Sequence, residues 1–176
     1  AACAAPMGGA PQPAKLDQGW TQALRELFHH TPQGSPIMAY DLFMALEAPG
    51  GGRFASAEHL ARYGFIPSDG ASALKPDAMP MGLPREPAGP KTGPVDQLGM
   101  TCAACHTANA TVGGRPIRLE GAPAHLDFDG FVAGLAAALD ETMDDPERFA
   151  RFAARLPDGA PEALRAALAR WRDRMD

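Results

Sequence analysis

The sequence has few cysteines, no basic excess and no long apolar run, and each absence excludes a class of protein. Its 176 residues include 3 Cys, an odd number too small for a disulfide-stapled scaffold. Its 16 Lys and Arg are outnumbered by 21 Asp and Glu, so a net charge of -5 argues against nucleic-acid binding. No segment approaches the ~18 consecutive apolar residues of a membrane span. The length instead suits one domain with a sizeable core.

The first residues differ in composition from the rest of the chain. Residues 1–15 are dominated by Ala, Gly and Pro and show no helical or strand period, which predicts a flexible leader or linker before one domain at 16–176. Ala1–Ala2–Cys3 fits the end of a lipoprotein processing site, with Cys3 as the lipid-anchored first residue. Ordinary signal cleavage and an incidental cysteine in a tail fit the same residues.

Apolar residues recur at helical spacing in six segments. Asp17, Ser35, Ser56 and Asp145 are the candidate N-caps, and Pro161 opens the last segment. The predicted helices cover residues 17–29, 35–47, 56–63, 128–143, 145–156 and 161–175.

The other segments predict loops and one hairpin. Seven prolines between positions 67 and 94 make regular structure unlikely there and predict a long functional or wrapping loop. Gly113–Gly114 separates two short alternating runs at 111–112 and 115–119, which is a hairpin signal. Pro116 would place its strand at a sheet edge. The fold class predicted from these patterns is mainly α-helical.

The residues with the clearest chemical meaning are Cys102–Ala103–Ala104–Cys105–His106. Two cysteines three apart followed by His form the attachment motif of c-type haem. Each thiol adds to one porphyrin vinyl group, and the helical turn that carries both thiols presents His106 to the iron as proximal ligand. A structural zinc site needs four ligands, and only Cys3 remains as a further cysteine. A thioredoxin-type redox pair needs a preceding strand, which the Gly- and Pro-rich approach to Thr101 does not suggest.

The chain resembles the c-type cytochromes, and more specifically the haem domain of the di-haem cytochrome c peroxidase and rubber-oxygenase group. The resemblance spans about residues 36–156, and only CAACH is highly specific in it. The segments that carry it are Tyr63–Gly64–Phe65, Met79–Pro80–Met81–Gly82, Leu98 to Thr107, Gly114, Ile117 to Ala124, Phe128 to Phe131, Asp145 to Phe149 and Arg151–Phe152–Ala153.

This resemblance implies a cytochrome c-like helical domain, and the residue patterns add a short β-hairpin after the motif, a long Pro-rich loop and one covalently attached haem c. The group carries two haems on two motifs, whereas this chain has one. We therefore expect either the amino-terminal part of a longer protein or a stand-alone mono-haem relative.

Two functions follow as expectations. The first is mono-haem electron transfer with a redox partner protein in the periplasm, or another exported location, because haem thioethers are formed after export. The alternative is the haem domain of a peroxidase- or oxygenase-like enzyme with an open iron site, which would need further sequence or a second redox centre.

The sixth iron ligand decides between these functions. Met79 and Met81 lie in a Pro-braced loop, although that loop precedes the motif. His125 lies in a turn before the helix at 128–143, and Met143 lies on that helix's apolar stripe, where packing is the alternative. An open or water-bound position is the remaining possibility.

Several other polar residues have both a functional and a structural interpretation. His29 and His30 are expected to cap a helix C-terminus, and His59 to face solvent. Arg115 and Arg118 suit haem propionates or a solvated hairpin. The acidic residues Asp140, Glu141, Asp144 and Asp145 face Arg148, Arg151 and Arg155 along successive predicted helices. This arrangement predicts either charge pairing at the helix ends or an acidic docking patch for a basic redox partner.

Overall fold

The computed structural model describes residues 13–157 and 160–175, so Cys3 lies outside the described residues. The structure is 38% helix and 16% strand, with two three-stranded sheets. It is therefore a mixed α/β fold, and the prediction of a mainly α-helical, cytochrome c-like domain is wrong. The error arises outside the helices, where four of the described strands are only two residues long and show no period.

The described residues form seven helices and six strands. The helices are α1 (Gln22–His30), α2 (Tyr40–Ala45), α3 (Ala57–Ala61), α4 (Cys102–Cys105), α5 (Phe128–Asp144), α6 (Pro146–Ala153) and α7 (Pro161–Arg172). The strands are β1 (Ala14–Lys15), β2 (Met38–Ala39), β3 (Arg85–Glu86), β4 (Gln97–Leu98), β5 (Thr107–Val112) and β6 (Arg115–Glu120).

The first sheet has the strand order β1–β6–β5 and contains the predicted hairpin. β5 and β6 pair antiparallel, so the hairpin is longer than predicted and starts directly after the CAACH motif. β6 is the central strand, which corrects the placement of Pro116 at an edge. The position tolerates proline because β1 pairs only with Ile117 and Arg118, so no donor toward β1 is needed from Pro116. Because β1 pairs with β6, residues 14–15 belong to this sheet and not to the predicted flexible leader.

The second sheet, of order β2–β4–β3, joins segments far apart in sequence. β3 lies inside the Pro-rich stretch, and Met38–Ala39 pairs with β4, which cuts the predicted helix at 35–47 down to α2. The Thr21 hydroxyl, not Asp17, caps α1. The predicted caps at Ser56 and Asp145 are confirmed, since each side chain accepts backbone N–H groups of the helix that follows.

The hydrophobic core lies where α2, α5, α6 and α7 meet, around Phe43, Phe54, Phe131 and Phe152. Among the described residues, no helix combines the length and apolar character needed to cross a membrane.

Helix α1 buries its polar face and exposes its apolar face, the opposite of what an amphipathic helix is expected to do. Its buried residues are Arg25, His29 and His30, whereas Leu24 and Leu27 are 50% and 48% exposed. The apolar stripe that predicted the helix therefore faces outward, and its polar residues form the contact with the rest of the domain.

Candidate haem-attachment site

The CAACH motif forms one short helical turn at the surface. Thr101 caps α4, with its hydroxyl accepting the Ala103 N–H at 3.2 Å. Residues three apart in a helix share a face. Cys102 and Cys105 are accordingly both exposed, while the alanines between them are buried. His106 follows directly and is also exposed. The turn thus presents two free thiols and an imidazole outward.

Gly82 supports the buried side of this turn. Its N–H donates to the His29 carbonyl at 3.0 Å, and its carbonyl accepts the Thr101 N–H at 2.9 Å. Gly82 has a φ of 89°, a left-handed conformation that favours glycine. A Cβ here would lie 2.5 Å from the Ala104 backbone nitrogen. The close approach of two backbones therefore positions the motif.

We expect Gly82→Ala to destabilise the protein far more than Gly93→Ala. Gly93 has almost the same φ, 93°, but a Cβ there meets nothing within 4 Å. The shared backbone strain costs about 1–2 kcal/mol, and overpacking against Ala104 should add about 1–3 kcal/mol at Gly82 only. Urea unfolding of both variants measures the difference, and equal losses of stability would contradict the close-approach argument.

Three further contacts link the motif to its neighbours. The Cys102 thiol lies 3.3 Å from Gln33 Oε1. The Ala124 N–H donates to the Cys105 carbonyl at 2.9 Å, and the Gly121 N–H donates to the His106 carbonyl at 2.7 Å. The turn is therefore held by segments from both before and after it in the chain.

A largely apolar cavity of about 660 Å³ lies between α5, α7 and the segments around positions 36 and 100. This volume is within the range of small-molecule and cofactor sites. The polar members of its wall are Ser35 and Arg174. The apolar members are Pro36, Ile37, Met100, Phe128, Val132, Leu135, Trp171 and Met175. Sequence patterns gave no sign of this cavity beyond the apolar register of the last helix.

A buried polar network lies beneath α1. The Arg25 guanidinium forms an ion pair with the fully buried Glu120 carboxylate, which also lies 3.4 Å from His29 Nε2. Gln18 binds both backbone groups of Glu120. Because a buried charge is stable only when it is paired, this network explains why α1 turns its polar face inward.

His30 is 1% exposed, and neither of its ring nitrogens has a hydrogen-bond partner among the described residues. Burial, helped by the nearby Lys75 ammonium, lowers the pKa of His30 to about 4. Burial also lowers the pKa of His29. The expectation that these residues cap α1 as cations is therefore wrong for His30, which is neutral at pH 7.

This burial predicts that the protein loses stability in mild acid. In the unfolded chain His30 takes up a proton below pH 6.5, whereas the folded protein does not until about pH 4. Stability contributed by neutral His30 is complete above pH 6.5 and declines between these values, by about 3 kcal/mol in all. In His30→Leu, the midpoint of urea unfolding should change less with pH over this range than in the unsubstituted protein. The exposed control His125→Leu should keep the pH dependence of the unsubstituted protein. An unchanged pH dependence of the urea midpoint in His30→Leu would contradict the neutral, buried state of His30.

The four residues considered as sixth ligands occupy different surroundings. Met79 and Met81 are each 3% exposed, and Met79 belongs to the main core. Met143 packs partly buried against the core, and its carbonyl accepts from the Arg165 guanidinium at 2.7 Å. His125 is exposed. None of the four lines the 660 Å³ cavity, whereas Met100 and Met175 do.

Two other sequence-based assignments are corrected. His59 does not face solvent: it is 8% exposed, and its ring lies 4.6 Å from that of Phe54. Arg118 is buried and bonded to Asn109, with Asp69 3.6 Å away, so it does not present a free guanidinium at the surface. Arg115 is exposed at the hairpin turn.

The charge cluster of the C-terminal helices is mainly structural. Arg148 donates to Glu141 at 2.5 Å, as helix-end pairing predicts. Arg151 and Arg155 instead bind the carboxylate of Glu47. The Arg151 hydrogen bond, with that from Arg155, holds the pKa of Glu47 at about 2. Asp140 pairs with Arg172 at 2.9 Å. Asp144 and the capping residue Asp145 remain exposed at the end of α5.

The residues present fit a covalently held haem. Two exposed thiols on one face of a turn, with His106 beside them, form the donor set that such a haem requires. Within 13–157 and 160–175, no group of three or more His, Cys, Asp or Glu side chains is placed to hold a metal ion.

The chain is similar to one curated protein from a rhizobial bacterium. It is 36% identical over 174 residues to "Uncharacterized protein y4iJ" of Sinorhizobium fredii (strain NBRC 101917 / NGR234). The match covers 91% of this chain and 29% of that protein, so the chain spans less than a third of this relative's length. No protein-family model matches the chain, and no solved structure matches it.

Proposed function

We propose that this chain is a c-type haem-binding domain that carries one haem on Cys102 and Cys105, with His106 as proximal ligand, and transfers single electrons. The observation that carries the proposal is the placement of both thiols and His106 on one exposed turn. When bound, the haem supplies an iron centre that cycles between ferric and ferrous states. The chain's own residues hold it in place and set its surroundings.

The support behind the turn favours an attachment site over an incidental pair of cysteines. Gly82 and the Thr101 cap fix the backbone of α4 from one side, and Ala124 and Gly121 fix it from the other. These hydrogen bonds hold the backbone that carries the two thiols, and a supported backbone favours a defined placement of functional groups. An exported location and a protein redox partner are part of this proposal, as is the resemblance to the c-type cytochrome group.

Intact-mass spectrometry of the protein from a host with haem-maturation machinery tests the proposal. We expect the polypeptide mass plus one haem, and that haem should resist acid–acetone extraction. An unmodified mass, a Cys102–Cys105 disulfide or bound zinc would each contradict it.

A second function, small-ligand chemistry at an open iron position, is favoured by the burial of Met79 and Met81. Both methionines are 3% exposed, whereas Cys102, Cys105 and His106 are exposed, so neither thioether is presented at the surface where the motif lies. We therefore expect the reduced protein to bind CO, seen as a shift of the Soret band. A spectrum that does not respond to CO, with the weak far-red band of iron–thioether bonding in the ferric form, would contradict an open position.

A further inference from the structure

Strand β5 has a neighbouring strand on one side only, because the sheet order β1–β6–β5 places it at an edge. Thr107 and Ala108, at its beginning, are buried, whereas Asn109, Thr111 and Val112 are exposed. An edge strand carries a row of unpaired backbone N–H and C=O groups, which is a template for pairing with another strand. Residues 109–112, which we call the free edge, are therefore a candidate docking surface.

The hydrogen bonds of the hairpin show which backbone groups of the free edge are unpaired. The Gly121 N–H donates to the His106 carbonyl at 2.7 Å, one step before the ladder between β5 and β6 begins. Because bonded and non-bonded pairs alternate along an antiparallel ladder, residues 108, 110 and 112 bond to β6, and the residues between them point their backbone groups away. Within the part of the chain that the structure describes, the N–H and C=O groups of Asn109 and Thr111 form no hydrogen bond.

The free edge lacks the features that keep most edge strands from pairing with other chains. Those features are charged side chains, proline and β-bulges. The sequence of β5, Thr-Ala-Asn-Ala-Thr-Val, contains no charged residue and no proline, and its register with β6 is continuous from Thr107 to Val112. Val112 is 61% exposed at the end of the strand. Threonine and valine also favour extended backbone, so the free edge is open to an added strand.

We propose that β5 pairs with β5 of a second copy of this chain across a two-fold axis at Ala110. Such an axis makes the two strands antiparallel and places Asn109 of each copy opposite Thr111 of the other. Each of these two pairs exchanges two backbone hydrogen bonds, so four hydrogen bonds satisfy every backbone group left unpaired at Asn109 and Thr111. The two sheets then form one continuous sheet through both copies.

The side chains of β5 fit a second copy better than they fit a charged peptide. In this register Ala108 lies opposite Val112 of the other copy on one side of the sheet, which covers the exposed valine with an apolar neighbour. On the other side, Asn109 lies opposite Thr111, so polar side chains meet polar side chains. A strand without charge does not repel itself and offers no charged group to an acidic or basic peptide.

The same register leaves the CAACH motif of each copy free. His106 lies four residues before the axis at Ala110, so the two His106 positions are eight residues apart along the paired strands, roughly 26 Å at the usual rise per residue. The dimer is therefore compatible with the proposed function and does not depend on it.

The first test removes one backbone donor of the free edge without removing a bond of the hairpin. Sedimentation equilibrium of the unsubstituted chain over a concentration series should show a monomer–dimer equilibrium. Thr111→Pro deletes an N–H that faces away from β6, and with it two of the four hydrogen bonds, so dimerisation should weaken about tenfold or more. Thr111→Val keeps the N–H and a similar shape, and should dimerise like the unsubstituted chain. Circular dichroism checks that each variant is folded.

The second test does not require a proline in the strand. Val112→Lys places an ammonium group opposite Ala108 of the other copy and should also weaken dimerisation about tenfold or more. Val95→Lys is the matched control, because Val95 is 51% exposed and lies beside β4 in the other sheet. It should leave the dissociation constant unchanged.

A mixing experiment identifies the second copy as the occupant. The two residues at position 111 are diagonal neighbours across the axis, so Thr111→Lys and Thr111→Glu should each be mostly monomeric alone and form a heterodimer when mixed. A chain that stays monomeric at every concentration overturns the proposal. Equal dissociation constants in Val112→Lys and Val95→Lys, or a mixture no more dimeric than its components, overturn it as well. Because these masses are measured whether or not haem is attached, the result is independent of the proposed function.

Discussion

Replacing both motif cysteines by serine, Cys102→Ser with Cys105→Ser, should abolish covalent haem completely. Serine is nearly isosteric, and both side chains are exposed, so the fold should persist. A serine hydroxyl does not add to the vinyl groups under the conditions of haem maturation, so no thioether-type link can form. Intact-mass spectrometry should show the bare polypeptide, and any haem should be extracted by acid–acetone. Each single variant should retain one link and show a red-shifted pyridine haemochrome band.

The third cysteine of the chain provides the control for this experiment. Cys3→Ser removes a thiol far from the motif in sequence and should leave the haem content and spectrum unchanged. Retention of covalent haem in the double variant would show that Cys102 and Cys105 are not the attachment points.

His106→Ala should leave the thioethers intact but remove the proximal nitrogen. The reason is that His106 directly follows the turn that carries both thiols, and its side chain is exposed there. The expected result is a mass that still includes haem, together with shifted Soret and visible bands. Added imidazole should restore the original spectrum by occupying the vacated ligand position.

His125→Ala is the matched variant for this test. His125 is also exposed and lies just beyond Ala124, whose N–H binds the motif. Its spectrum should equal that of the unsubstituted protein. If His125→Ala shifted the bands while His106→Ala did not, the proximal ligand would be His125.

The polar face of α1 illustrates why burial was harder to predict than helix position. Spacing of Trp20, Leu24 and Leu27 predicted a helix, and α1 is present, but its apolar side faces outward. The polar face of α1 is buried because Arg25 pairs with the buried carboxylate of Glu120. These two residues are 95 positions apart in sequence. No local pattern contains that partner, so the direction in which α1 faces depends on the tertiary structure.

Features whose causes lie within a few residues could be predicted from the amino-acid sequence alone. The spacing of Cys102 and Cys105 puts both thiols on one face of a turn, and the Ser56 and Asp145 side chains cap the helices that follow them, because each interaction closes within one helical turn.

The two-residue strands that complete both sheets, the neutral state of His30 and the cavity beside α7 arise from tertiary contacts and had no local sequence signal. Two-residue strands exist because a distant strand supplies their hydrogen-bond partners, as β4 does for β2. The pKa of a histidine follows from the groups that pack over it, and a cavity from the residues that fail to fill a space between elements. These quantities depend on contacts across the whole chain, and so they appear only once it has folded.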